Sequence, residues 1–488
     1  MKNQSEINKA IKFYEQGKYD KAIKIAKKLL KQDASNEELL RLLVMSSGES
    51  GDIASKKKYL LKLVKFVQDP TVFQTLALLF QEEGSLDKAK IYYEKALELD
   101  PTYAKCYLYL SLIYSLEYNF DKAEELVARS IELKKGSSDV YESYHFLAML
   151  YDSQEEFIKA LEIFIELIKL NYEDIDMRFN FSLLCLKLNK YQEGFDFFRY
   201  RYHPEYSNPM MQLENVPILE KGIAIAGKNI VVTGEQGAGE AIQFMRYIPL
   251  LIQEKANVTV VVGSLVIPLF KASYPEVKCI DTFEHIDYDY NIPIADLAYL
   301  FNSDYNNIPF KDTYIQVNEE ESQKINEKFF LNERKKKVGI VWRSNQGVGE
   351  KTAVILAQKR ENTNMTLLQC IKYFKNDDVQ LYSLQVSVTK EERELLELHN
   401  IPSLGDDFVS FYDNALVIDN LDVVIAINTT SALISGAMGK RTILLLSDNS
   451  DWRWGIKEDK NNWYNSLEIL RQVKREGWDS LLERSKII

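Results

Sequence analysis

Hydrophobic residues follow two different patterns along the chain. Up to about residue 203 they repeat with a period near 34: Ala89, Ala123, Ala160 and Gly194 fall at equivalent places, and Ala77, Ser111, Ala148 and Ser182 keep the same intervals of 34, 37 and 34. The clearest unit, TLALLFQEEGSLDKAKIYYEKALELDP, predicts one helix carrying Ala77, a turn at Gly84, and a second helix with Ala89, Tyr93 and Ala96 that closes at Asp100-Pro101. Small residues in register allow two helices to approach closely, and the aromatic residues fill gaps between units. From Asn229 onward the pattern changes to short apolar runs separated by amphipathic segments. NIVVT, NVTVVV, KCID, KVGIVW, VQLYSL, DVVIAI and RTILLL read as strands joined by helices, the signature of right-handed βαβ units in parallel sheets.

The periodic part resembles the tetratricopeptide repeat (TPR), with about six units over residues 3–203. The first is fair, and the second, ending at Asp69-Pro70, is degenerate. The three-residue excess fits an insertion in KKGSSD, at a turn. Such an α-solenoid has a concave face suited to a protein partner; its other use is to join copies of the chain. The lysines at 21, 24, 27, 28 and 31 sit at helical spacing and read as a solvated face. The stretch 204–226, with Pro204, Pro209 and Pro217, reads as a connector. Beyond it two doubly wound lobes are expected over 227–318 and 336–446. A helix at 319–335 links them, and 447–488 is expected to supply an aromatic loop and a helix that crosses back to the first lobe. Ligands of such sheets bind at the carboxyl ends of the strands.

Composition narrows the class. A chain of 488 residues with 61 basic and 72 acidic residues has a formal charge of −11, which disfavours a nucleic-acid grip. No apolar run approaches the ~18 residues of a membrane span, and the first residues have no apolar leader. The four cysteines, Cys106, Cys185, Cys279 and Cys370, are scattered and read as reduced thiols, so a cytoplasmic location is expected.

The candidate chemistry lies in the strand-end loops. GEQGAGEAIQFMRY follows NIVVT and offers Gln236, Gly237 and Gly239 beside Glu240, a carboxylate at a helix start. Its alternatives are a reactive group in the cleft or a complement to the helix dipole. NTTSALISGAMG follows DVVIAI: Asn428 ends the strand, and Thr429, Thr430 and Ser431 open a helix whose free N–H groups suit a diphosphate or simply form a capped turn. Arg343, Ser344 and Asn345 follow KVGIVW, Lys359 and Arg360 lie further on, and Gln385 ends another strand. Trp452, Arg453 and Trp454 could stack on a base or a sugar, or belong to the core. Asp287-Tyr288-Asp289 reads as a coincidence and no metal site is expected.

Together EQGAGEAIQFMRYIPLL, VGIVWRSN, LYSLQ, NLDVVIAINTTSALISGAMGK, DWRWG and NNWYNSLEILRQ resemble the TPR-linked glycosyltransferases related to the ADP-heptose:lipopolysaccharide heptosyltransferases, glycosyltransferase family 9. EGFDFFRYRY is similar to the end of the solenoid in that family. The resemblance runs from about Leu188 to Trp478. It implies a two-lobed GT-B fold, a nucleotide-sugar donor as co-substrate with no other cofactor, and metal-independent transfer with inversion. It also implies an acceptor, such as flagellin or another surface protein, chosen by the repeats. The family's Gly-Asp, whose Asp is the general base, is Gly239-Glu240 here; its strand-end Asp is Asn428, and its His a few positions on is Leu433. These departures leave a second expectation, a catalytically inactive TPR adaptor with a nucleotide-sugar-binding or vestigial domain.

Overall fold

The computed structural model describes residues 2–170, 173–202, 213, 216–235, 237–282, 287–344, 363–448, 450–456, 461–473 and 476–485. Gln236, Asn345, Lys359 and Arg360 lie outside them. The chain divides into two compact units with the break after residue 172.

The first unit holds ten helices in five consecutive pairs: α1 (Lys2–Glu15), α2 (Tyr19–Leu30), α3 (Glu37–Glu49), α4 (Ile53–Leu63), α5 (Pro70–Glu82), α6 (Leu86–Leu99), α7 (Ala104–Leu116), α8 (Phe120–Leu133), α9 (Val140–Ser153) and α10 (Phe157–Lys169). A sixth pair, α11 (Ile175–Lys187) and α12 (Tyr191–Phe198), belongs to the second unit and not to the array before it. The small residues that set the period, including Ala77, Ala89, Ala148, Ala160, Ser182 and Gly194, are all buried. A Cβ on Gly194 would lie 2.6 Å from Leu186, so only glycine fits there. Local signals agree with the packing: Asp69 caps α5 with Pro70 as its first residue, and the Asp174 side chain accepts from the Met177 N–H at 2.7 Å. All six turns inside a pair pass through a left-handed residue: Gly17, Gly51, Gly84, Tyr118, Glu155 and Asn189. Tyr93, buried and bonded to Gln81 at 2.8 Å, stacks on Tyr109 of the following pair.

The second unit continues into two parallel sheets. The first contains β1 (Asn229–Thr233), β2 (Asn257–Val261), β3 (Lys278–Ile280) and β4 (Tyr290–Pro293) in the order β3-β2-β1-β4. The second contains β5 (Lys336–Val341), β6 (Val379–Ser383), β7 (Val423–Ile427), β8 (Thr442–Leu446) and β9 (Leu467–Arg471) in the order β6-β5-β7-β8-β9. β7 and β8 are buried at every residue, as central parallel strands covered on both faces must be.

Two expectations about the end of the chain are corrected. LEILR is a strand, β9, paired with β8. The terminal helix Trp478–Ser485 packs Trp478, Leu481 and Leu482 into the core of the second sheet, and Asp479 accepts from Gln369 at 2.7 Å, so it does not cross to the first lobe. The crossing is made by the described residues 451–456 and 461–464, where Trp452 packs on Phe195 and Trp463 on Phe244. The last helix pair joins this cluster, with Asn189 accepting from Asn462 at 2.9 Å.

Candidate active site

In each sheet the chain runs outward on one side of its first strand and returns on the other. The crevices of parallel sheets open where this reversal occurs. The reversal lies between β1 and β4 in the first sheet and between β5 and β7 in the second. The loop after β1 enters helix α13 (Ala238–Phe244), and β7 leads into the helix Thr430–Ala437. These two helices pack together: a Cβ on Gly239 would stand 3.2 Å from Cδ1 of Leu433. The carboxyl ends of β1 and β7 therefore face each other.

Gly234 begins the first loop, its N–H bonded to the Val261 carbonyl at 2.7 Å; a Cβ there would meet Val262 at 2.8 Å. Gly237 is the residue before α13, extended and with open space around it. Glu240 and Gln243, three residues apart, share one face of α13. Both hold Arg453, which comes from the Trp452–Trp454 turn of the crossing segment. The guanidinium donates to Glu240 Oε1 at 3.0 Å, to Asp451 Oδ2 at 2.6 Å, and to Gln243 Oε1. The Glu240 side chain keeps 25% of its surface exposed. Burial pushes its carboxyl above the usual carboxylate range, with Arg453 pulling in the opposite direction. Such a group can hold a proton closer to neutrality than a surface glutamate does.

On the facing side Trp454 Nε1–H donates to Asn428 Oδ1 at 3.1 Å. An indole nitrogen only donates, so this contact fixes the amide and turns the Asn428 NH₂ the other way. Thr429 caps the helix without a side-chain cap bond; its Oγ1 donates to the Ile427 carbonyl at 3.2 Å. Thr430 and Ser431 are half-buried in the first turn. Gly436 lets this helix lie against Tyr464, whose ring would be 2.9 Å from a Cβ.

Other expected residues are engaged elsewhere. The Arg343 guanidinium donates to Glu392 at 2.9 Å and to the Ser387 carbonyl at 3.1 Å. Gln385 is 2% exposed, accepting from the Arg343 N–H at 2.9 Å and donating to the Val386 carbonyl at 3.1 Å, so it organises that loop. The Ser344 N–H is bonded to Asn364 at 3.1 Å. Ligand stacking by Trp452 and Trp454 is corrected: they are 9% and 1% exposed, with their rings against Phe195, Phe198 and Tyr464. Arg453 is committed to its ion pairs. Asp289 of the Asp-x-Asp string accepts from the Asn229 N–H at 2.8 Å and from Lys228 at 3.0 Å, at the amino end of β1. A concavity of about 310 Å³ lined by Asn229, Asn257, Lys278 and Tyr288 also lies at that end, away from Glu240.

Sequence reasoning passed over a buried charge network. Arg201 forks onto Glu235, whose neighbour in that network is Asp296, and Arg246 is wholly buried. All but Asp296 lie inside quoted motifs, and a charge within a run otherwise destined for burial was the available signal.

Residues 70–103 and 141–174 match one tetratricopeptide-repeat family model and residues 92–125 match another. The chain carries tetratricopeptide repeats. Among solved structures, the MamA protein shares 25% identity over 35% of this chain and 96% of its own, with a TM-score of 0.31. A thermophilic TPR protein of Thermus thermophilus shares 22% over 38% and 99%, with a TM-score of 0.29. A tetratricopeptide repeat protein of Parabacteroides merdae shares 18% over 43% and 81%, with a TM-score of 0.38. No curated protein sequence matches the chain. The repeats point to interaction with another protein. Among the described residues, no helix is long and apolar enough to cross a membrane.

Proposed function

We propose that the second unit is a metal-independent glycosyltransferase of the GT-B kind, moving a sugar from a nucleotide donor to a hydroxyl of a protein that the repeats select. The observation that carries this reading is the carboxylate of Glu240, 25% exposed and with its proton affinity raised by burial, set where the strand order of the first sheet reverses and near the helix that follows β7. In the reaction Glu240 takes the acceptor hydroxyl proton, the oxygen bonds to the anomeric carbon, and the bond to the nucleoside diphosphate breaks. The departing anion gains from the N–H groups opening the Thr430 helix and from the Asn428 amide NH₂. Asn428 suits that role because, unlike an aspartate, it brings no negative charge toward the phosphates. A surface protein such as flagellin is the acceptor to try first.

The test is incubation of the full chain with a panel of nucleotide sugars and candidate acceptor proteins, with transfer read by mass spectrometry. Transfer by the wild type that Glu240→Gln abolishes supports the reading; absence of both transfer and donor hydrolysis sinks it. A second reading, an inactive adaptor, is favoured by Leu433, which is 5% exposed and brings an apolar surface where the resembled family brings a histidine. Calorimetric titration with nucleoside diphosphates separates them: tight binding without turnover supports the adaptor.

A further inference from the structure

We infer that Arg201 is a positioning residue that fixes Glu235, just ahead of the helix bearing Glu240, to the end of the last helix pair; its catalytic consequence rests on the function proposed above. Arg201 lies in the short turn Arg199–Tyr202 that directly follows α12. Its guanidinium grips both oxygens of Glu235 with one edge: Nε to Oε2 at 2.7 Å and Nη2 to Oε1 at 2.5 Å. Nη2 also stands 2.7 Å from Asp296 Oδ1, at the carboxyl end of β4. Glu235 Oε1 takes a further bond from the Ala295 N–H at 3.3 Å, and Tyr202 donates to Asp296 Oδ2 at 2.8 Å. The three charged side chains are 7%, 2% and 3% exposed.

This network sits at the reversal point of the first sheet. Glu235 follows the strand-locked Gly234 and precedes Glu240 by five residues, so fixing both its oxygens fixes the approach of the chain to α13. Burying three charges is expensive, and apolar residues of equal volume often serve stability as well or better. What apolar residues cannot supply is the planar two-point geometry of a guanidinium on a carboxylate. A lysine would keep the charge and lose the fork.

The test uses the full chain with Arg201→Lys and Glu235→Gln, each followed by amide hydrogen exchange and by the transfer assay. Exchange at Gly239, Glu240 and Ala241 is expected to rise at least ~10-fold in both variants, while amides of β2 and of α5 keep their protection. Transfer is expected to fall by ~100-fold in kcat, the scale set by a misplacement of about 1 Å, with the donor KM changed little. Unchanged exchange at the Glu240 loop, or a loss of protection spread evenly over the second unit, overturns the inference. A wild type without transfer refutes the proposed function and leaves the exchange measurement to decide the role of Arg201.

Discussion

Replacing Glu240 by glutamine separates the chemistry of this carboxylate from its structural contribution. The amide keeps an oxygen for Arg453 Nη2, so the 3.0 Å bond survives as a neutral acceptor contact. Converting a charge-assisted bond to an ordinary one costs about 1 kcal/mol. Against this, the variant no longer carries a buried charge whose net effect in the fold is unfavourable, since burial outweighs Arg453 in raising its pKa. The two effects oppose each other, and the expected change in stability at pH 7 is within about 1 kcal/mol, with a melting shift of no more than ~4 °C. The pH dependence has a definite sign. A carboxyl whose folded pKa is raised costs nothing below its unfolded pKa and destabilises the fold progressively as pH rises through the folded value. That slope is expected in wild-type denaturant titrations above the ordinary carboxylate pKa and is shallower in Glu240→Gln, where the buried carboxyl of Asp296, also raised by burial, still contributes. If Glu240 is the general base proposed above, its loss costs ~100- to 10,000-fold in rate, which is about 3 to 5 kcal/mol of barrier. The paired assays are urea unfolding across pH and sugar transfer at saturating donor. A variant that transfers sugar at wild-type rate, or one that melts far below wild type, refutes the reasoning.

Three further outcomes are expected. Glu155 is exposed at a left-handed turn position, so Glu155→Gly should stabilise the first unit by about 0.5–1 kcal/mol, measured as a rise in the urea midpoint with unchanged slope. Arg246→Ala removes a fully buried guanidinium that donates to the Trp463 carbonyl at 2.7 Å, the Gln243 carbonyl at 2.9 Å and the Tyr314 hydroxyl at 3.1 Å, and should cost about 3–5 kcal/mol by chemical denaturation. Gly194→Ala forces a Cβ into Leu186 and should cost about 1–3 kcal/mol, a loss that a second change, Leu186→Ala, partly relieves in a double-mutant cycle.

The helix pairs were legible because close approach leaves a regular trace: Ala77, Ala89 and their equivalents must be small wherever helices touch. Seven strands were legible as short β-rich runs between turn residues, most clearly β7 and β8, which are central, continuously apolar and buried at every residue. β4 escaped because it is four residues long and ends in Pro293. β9 escaped because LEILR fits a helical period as well as an extended one, and its pairing with β8 decides the matter. Within the site, Glu240 and Asn428 could be singled out from their places at strand ends. The role of Arg453 could not: its pairing with Asp451 is local to DWRWG, but the carboxylate of Glu240 lies 213 residues away and nothing in that motif specifies it. The same holds for Arg201 and Asp296, brought together only by the return of the chain to the far side of β1.

The cage around Arg246 makes this corner of the second unit costly to open. Its guanidinium lies 4.5 Å from the ring centre of Tyr314, 5.2 Å from that of Trp463 and 4.7 Å from that of Tyr464, and among the described residues it has no carboxylate ion-pair partner. Opening the structure at this corner would strand a cation and wet three aromatic rings at once. Amides around Arg246 are therefore expected to be among the last of the second unit to exchange.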